Sequence, residues 1–343
     1  MKNHIWVLIE KNRQRSGLRS LGNNNRTSIW LWVKNNYRLA LYYIIKHYLY
    51  RTEKMTDKKI SVIGSGWVGT AIGRGFAGMG YGVIFYDVVD KDLPNFTKDI
   101  NYAIENSDIS FICVPTPTTP EGIDLSYIKE ATMNTAIALS KKRGYHLVVV
   151  KSTVVPGTTE KVVIPILEEY SGKSVREGEI GVCMNPEFLT EIESSWTDEN
   201  SYKKDFFTED RIVIGEYNKR SGDILAGLYS ALNKPIFRTD LKTAELIKYA
   251  SNCMLATKIS YWNEIFLICK ELGIDSQVVA DIVGLDPRIG KYGTVHGKAF
   301  GGKCLPKDLK AFVAFAERYR EVKLLKAVDE INEEMRERYG VRE

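Results

Sequence analysis

KISVIGSGWVG, residues 59–69, decides the fold: a short apolar run enters a glycine turn, and small and apolar residues continue beyond it. The order strand, G-x-G-x-x-G, helix is what dinucleotide binding requires. Gly64 makes the tight turn, Gly66 lets backbone approach a pyrophosphate, and Gly69 permits close helix packing. The helix N-terminus then faces the phosphates. Gly64, Ser65, Gly66, Trp67, Val68 and Gly69 are therefore candidate cofactor contacts. Such a motif alone is weak, since glycines in turns are commonly structural. A second strand, Tyr81 to Tyr86, adds weight because it ends in Asp87, about 20 residues beyond the glycines, where a ribose 2′-hydroxyl is bound. A carboxylate there repels a 2′-phosphate, which favours NAD over NADP.

Two more apolar runs, Ile109 to Val114 and Leu147 to Val150, end in loops rich in Pro, Thr and Ser. Val114, Pro115, Thr116, Pro117 and Thr118 form the first loop; the second begins Lys151, Ser152, Thr153. In open α/β sheets ligands gather beyond the carboxyl ends of the strands, so both loops are expected on the nicotinamide side of the crevice. The fold class expected is α/β: a Rossmann-type doubly wound sheet followed by a helical central domain.

The chain has 343 residues, 44% hydrophobic and 27% charged, enough for a sizeable core in roughly two domains. Its net charge of +5 is uneven. Residues 1–54 hold eleven Lys and Arg against Glu10 and Glu53, a balance of +9, which leaves −4 for the rest. A slightly acidic body has no footprint for nucleic acid. Five cysteines without CxxC spacing imply a reduced, cytoplasmic protein, and the body's two histidines, His146 and His296, imply no metal. In the leader, Lys34, Arg38 and Lys46 interrupt the apolar run from Ile29 to Tyr50, which weakens a spanning reading. A basic aromatic helix lying on a membrane is one alternative. The expectation preferred is that 1–54 is not part of the working protein, with Met55 as the natural start.

Leu241 to Leu272 has helical periodicity with no Pro or Gly before Gly273, and predicts one long helix. Lys248 and Asn252, four apart, project from one face of it. Apolar neighbours surround them, and a buried Lys needs a reason. The loop from Gly297 to Asp308 supplies one. Pro306 suits the first turn of a helix, which puts Cys304 just before the helix N-terminus with Lys303 and Lys307 nearby. Positive charge and the helix dipole favour a thiolate. Cys113, Cys183, Cys253 and Cys269 read instead as packing. A last helix is expected from Lys310 to Arg338.

Six motifs in order, GSGWVG at Gly64, CVPTPT at Cys113, KSTVVPGT at Lys151, NPEFLTE at Asn185, the Lys248/Asn252 helix and FGGKCLPKD at Phe300, resemble the UDP-glucose/GDP-mannose dehydrogenase family over about residues 58–335. The resemblance implies two successive hydride transfers to NAD, with Cys304 holding a thiohemiacetal and then a thioester. It implies that Lys248 and Asn252 stabilise the oxyanion, that Glu187 is the acid/base residue of thioester hydrolysis, and that Asp308 and Thr153 hold a water. It places Glu191 and Lys307 at the cofactor. At the sugar it places Phe188, Leu189, Glu191, Phe300 and Gly301, beside Glu187, Lys248 and Asn252. Arg288 would reach the substrate across a dimer interface, which implies a homodimer through the long helix. On the residues alone, Glu187 and Glu191, four apart, could alternatively be exposed helix carboxylates, a reading that the preceding Asn185-Pro186 and the Phe188-Leu189 pair disfavour.

The sequence also departs from the family. Ile192 follows Glu191 where Gly is usual, Glu193 to Thr208 is longer than the family's stretch, and Val295 to Ala299 is unusual. The chain runs only 35 residues past Asp308, short of the roughly 50 that a domain needs, so the family's second Rossmann-like domain is expected to be lacking. The domains expected are 55–240 for NAD and 241–343 for the central helices. Two readings follow: a dehydrogenase acting on a nucleotide sugar, UDP-glucose foremost, with another chain supplying any missing part, or a weakly catalytic remnant that binds NAD and dimerises. An ordinary single-step dehydrogenase is disfavoured by Cys304, because one hydride transfer needs no thiol.

Overall fold

The computed structural model describes residues 57–190, 196–197 and 202–342; the leader and Glu191, with the readings made for them, lie outside these. An eight-stranded sheet carries the first half. Its strands are β1 (Lys59–Ile63), β2 (Gly82–Tyr86), β3 (Phe96–Thr97), β4 (Ile109–Ile112), β7 (His146–Val150), β8 (Ile180–Met184), β9 (Ile212–Glu216) and β10 (Ile236–Thr239). A small hairpin, β5 (Thr118–Thr119) with β6 (Gly122–Ile123), lies apart. In space the order is β10-β9-β8-β7-β4-β1-β2-β3. All neighbours are parallel except β8 and β9. Successive strands run outward from β1 in both directions, so the order reverses between β1 and β4. That reversal opens the crevice in which such sheets bind ligands.

The sequence of the central strands explains why they are central. β4, β7 and β8 are buried at every residue, as strands covered on both faces must be. Their side chains alternate between two cores: Leu147 and Val149 enter one with Ile60, Val62 and Phe76, while Val148 and Val150 enter the other with Ile63, Ile112 and Leu167. The covering helices are α1 (Trp67–Gly78), α2 (Ile100–Glu105), α3 (Ser126–Lys141), α4 (Ile164–Ser171) and α5 (Lys219–Tyr229).

Helix α6 (Leu241–Leu272) has the bounds its pattern predicts. The Asp240 side chain accepts from Thr243 N at 2.8 Å to start it, and Gly273, at φ +67°, ends it in the left-handed conformation. At 1.5 Å per residue it is about 48 Å long. After α7 (Ser276–Val283) come β11 (Ala299–Phe300), α8 (Leu305–Ala316), α9 (Lys323–Tyr339) and β12 (Val341–Arg342), which pairs with β11. The single helix expected from Lys310 to Arg338 is thus two. Glu317 to Arg320 offer nothing to bury, Tyr319 being 72% exposed, so packing cannot carry the helix through them. The break lets α8 and α9 both lie against α6. Among the described residues no helix is long and apolar enough to cross a membrane.

Candidate active site

The glycine turn lies at the carboxyl end of β1, where its three glycines meet different constraints. Gly64 adopts φ +93°, and a Cβ there would lie 2.8 Å from the Cys113 carbonyl oxygen. A Cβ on Gly69 would lie 2.0 Å from the Gly64 oxygen. On Gly66 it would meet nothing within 4 Å. Two glycines are therefore required by the protein itself, and the third leaves open the space that a dinucleotide's pyrophosphate would fill. Helix α1 has no side-chain cap, so its first N–H groups are left for an anion. Asp87, at the end of β2, accepts from Ser65 N at 2.8 Å and from Val89 N at 3.0 Å, which fixes its carboxylate beside the turn. These residues fit NAD. Trp67 is 42% exposed next to the open space.

The loops after β4 and β7 close against each other. Thr116 Oγ1 donates to the Thr153 carbonyl at 2.8 Å, and Ser152 Oγ to the Val114 carbonyl at 2.7 Å. Thr118 Oγ1 donates to the Lys307 carbonyl at 3.0 Å, so the loop after β4 also touches the start of α8. The loop 151–159 is tied to α6: Glu245, wholly buried, accepts from Gly157 N and, at 2.7 Å, from Thr159 N. Burial pushes the Glu245 carboxyl up, against those hydrogen bonds.

Two buried polar pairs form the chemical centre. Lys248 Nζ donates to Glu187 Oε1 at 3.0 Å, both side chains being nearly inaccessible. One turn further along α6, Asn252 Nδ2 donates to Asp308 Oδ2 at 2.6 Å, and Lys307 Nζ holds the other oxygen, Oδ1, at 2.6 Å. Asp308 lies in the first turn of α8, whose N-cap is Cys304 and which carries Pro306 at its start. Burial pulls the Lys248 pKa down, but its coupling to Glu187 and Asp308, with Cys304 adding to it, outweighs burial and holds the ammonium above its ordinary value. For Glu187 burial pushes upward and loses to Lys248, the Leu189 N–H and Lys151, leaving a carboxylate below its ordinary range. Cys304 thus stands at the N-cap of α8, within electrostatic reach of Lys248. Burial pushes the Cys113 and Cys253 thiols up to about 12.

The profile of the UDP-glucose/GDP-mannose dehydrogenase family, NAD binding domain, matches residues 88–233, and that of the family's central domain matches 242–334. The chain belongs to this family. UDP-glucose 6-dehydrogenase AglM of Haloferax volcanii is 38% identical over 313 residues, 82% of this chain and 70% of that protein. GDP-mannose 6-dehydrogenase of Pseudomonas aeruginosa is 37% identical over 283 residues, 74% of this chain and 63% of that protein. A UDP-glucose dehydrogenase structure from Pyrobaculum islandicum superposes with TM-score 0.74 at 36% identity, covering 82% of this chain and 69% of that one. The chain therefore spans between 63 and 70% of the length of these relatives. Residues 88–233 belong to an NAD-binding domain.

Of the residues in the family's motifs, Lys248 pairs with Glu187, while Asn252, Asp308, Lys307, Thr116 and the Thr153 carbonyl form one hydrogen-bonded series, with Cys304 at the N-cap of the helix that carries Asp308. Glu187 lies in an irregular loop after β8 and is buried, so it is no exposed helix carboxylate. Phe188 packs under Arg211, 4.0 Å from its ring centroid, and lies 5.5 Å from Lys248 Nζ. The Phe300 ring is wholly inside the core, and Gly301 is buried under Val341. Arg288 is exposed and holds Asp286 through its guanidinium, at 2.6 Å for Nη2 to Oδ2. The sequence alone points to no role for Lys151 or Asn185 beyond opening two of the motifs. Lys151 Nζ donates to Asn185 Oδ1 at 3.0 Å and to the Pro186 carbonyl at 3.3 Å, and the Tyr229 hydroxyl donates to Asn185 at 2.7 Å. This buried lattice fixes the loop that carries Glu187. Its signal was a charged residue directly after an all-buried strand.

Proposed function

We propose that the chain oxidises the C6 alcohol of a nucleotide sugar, UDP-glucose foremost, to the carboxylate. Bound NAD supplies the hydride acceptor, consumed twice per sugar. In the first oxidation the alcohol proton passes to a water held by Asp308 and Thr153. Cys304 Sγ then adds to the C6 aldehyde, so that a reactive carbonyl stays on the protein. Lys248 and Asn252 face the oxygen that gains charge. Loss of a second hydride leaves a thioester on Cys304. Water attacks its carbonyl while Glu187 takes the water's proton, and the C–S bond breaks to give the uronate and the free thiol. Held below its ordinary range, the Glu187 carboxylate is ionised at neutral pH and so has a lone pair for that proton.

The observation that carries the reading is the pairing of Lys248 with Glu187 and Asn252 with Asp308, both buried, beside a cysteine that caps the helix bearing Asp308. The Haloferax UDP-glucose 6-dehydrogenase supports the choice of sugar nucleotide. We assign residues 55–240 to the NAD part and 241–343 to the central part, and a homodimer to the exposed row of α6. Met254, Tyr261 and Ile268, seven apart and each about half exposed, support that dimer. A nucleophilic thiol also fits the reducing cytosol.

Glu187→Gln tests the mechanism. After incubation with NAD and UDP-glucose, mass spectrometry of the denatured protein is expected to find the Cys304 peptide carrying a UDP-hexuronyl acyl group, released about a hundredfold more slowly than in the parent. NADH formation with Cys304 unmodified at every time point would overturn the thioester route.

A further inference from the structure

Asn263 and Asn332 are fully buried, yet neither lies at the chemical centre. Each uses both ends of its amide on one short piece of backbone. Asn263 Oδ1 accepts from Gly297 N at 2.8 Å, and its Nδ2 donates to the Lys298 carbonyl at 2.9 Å. Asn332 Oδ1 accepts from Phe300 N at 2.8 Å, and its Nδ2 donates to the Phe300 carbonyl at 3.2 Å. Four backbone groups of the stretch that delivers Cys304 are thus held by two side chains from two helices. We infer that Asn263 and Asn332 are the positioning residues that set the Cys304 loop against α6. The inference rests on the reading of Cys304 as nucleophile.

The loop needs such a hold. Gly297 and Gly302 flank it at φ +89° and +73°, conformations that give the backbone freedom and no side chain to pack. A third side is closed by β12: Ala299 N donates to the Gly340 carbonyl at 3.0 Å, and a Cβ on Gly301 would lie 2.3 Å from Val341. Asn263 adds a geometric point. It stands on the same helix as Lys248, fifteen residues on, about 22 Å along the axis. One rigid helix therefore carries the oxyanion groups and also anchors the loop that must aim a sulfur at the same carbon. Small errors of placement cost large factors in rate, so a two-point clamp on backbone is worth two buried amides.

The test is the rate of Cys304 alkylation by iodoacetamide across pH, with the adduct located by mass spectrometry, in the full chain and in Asn332→Ala, Asn263→Ala and Asn332→Asp. NAD affinity, unfolding midpoint and NADH production are measured alongside. A looser loop moves the thiol away from Lys248 and the α8 N-terminus, so Asn332→Ala and Asn263→Ala should alkylate about fivefold more slowly at neutral pH, with the pH midpoint raised. NAD affinity should be unchanged, and kcat should fall while KM for NAD does not. Asn332→Asp, which keeps the acceptor for Phe300 N–H, should lie between. A lowered unfolding midpoint with the parent's alkylation profile and kcat would overturn the inference, leaving the asparagines as packing. Should Asn332→Ala fail to fold, the other two variants decide the same comparison. A parent that makes no NADH refutes the dehydrogenase reading alone, because the alkylation arm does not depend on turnover.

Discussion

Lys248 and Glu187 form a pair whose energetics are asymmetric. Removing one partner leaves the other buried and charged, at a cost of about 3–5 kcal/mol, whereas replacing both by apolar groups of similar size is often near neutral. Lys248→Met should therefore lose about that much stability by urea titration, and Lys248→Met with Glu187→Leu should recover most of it; neither should make NADH. The pH sign follows from the shifts. Glu187 is held below its ordinary 4.5, so its contribution is present above that pH and is lost as pH falls through the lower folded value. Lys248 is held above 10.5, so its contribution is present below that pH and is lost as pH rises through the higher folded value. Stability from the pair should be level across the neutral range, and the difference between parent and Glu187→Gln should shrink on acidification below about pH 4.5. Of the centre, Cys304, Lys248 and Asn252 were legible in sequence because a helix face and a helix start can be read from spacing. Lys151 and Asn185 were not, since what they hold becomes adjacent only when β7 and β8 pair.

Among the elements, the β1–α1 turn separates what the fold needs from what the ligand needs. Gly69→Ala puts a methyl 2.0 Å from the Gly64 oxygen and should unfold the turn along with NAD binding. Gly66→Ala meets open space at an ordinary φ of −71°, so it should change stability by less than about 1 kcal/mol while weakening NAD at least about tenfold. Calorimetric NAD titration beside thermal unfolding separates the two. Equal loss of stability in both variants would mean that the gap at Gly66 is not the cofactor's. Helix α6 was legible end to end because its periodicity runs without Pro or Gly until Gly273. The break between α8 and α9 was not. No Gly or Pro marks it; it arises because Glu317 to Arg320 have no core to face, which only the packed α6 reveals.

Taken whole, the molecule sets its chemistry where two kinds of structure meet. The strand order places the glycine turn and the loops after β4, β7 and β8 along one edge, and α6 with α8 brings Lys248, Asn252, Asp308 and Cys304 to the loops that hold Glu187 and Thr116. The doubly wound core was legible from apolar runs ending in glycine and threonine loops. The antiparallel turn to β9 was not, because β8 and β9 are both short buried runs whose sense depends on the connection between them. The central claim is a four-electron oxidation held on one cysteine. Its most direct measurement is the ratio of NADH formed to UDP-glucose consumed by the full chain, run beside Cys304→Ala. Two NADH per sugar, with that second equivalent lost in Cys304→Ala, is the result predicted. One NADH per sugar with free aldehyde released, or two in the variant lacking Cys304, would contradict it.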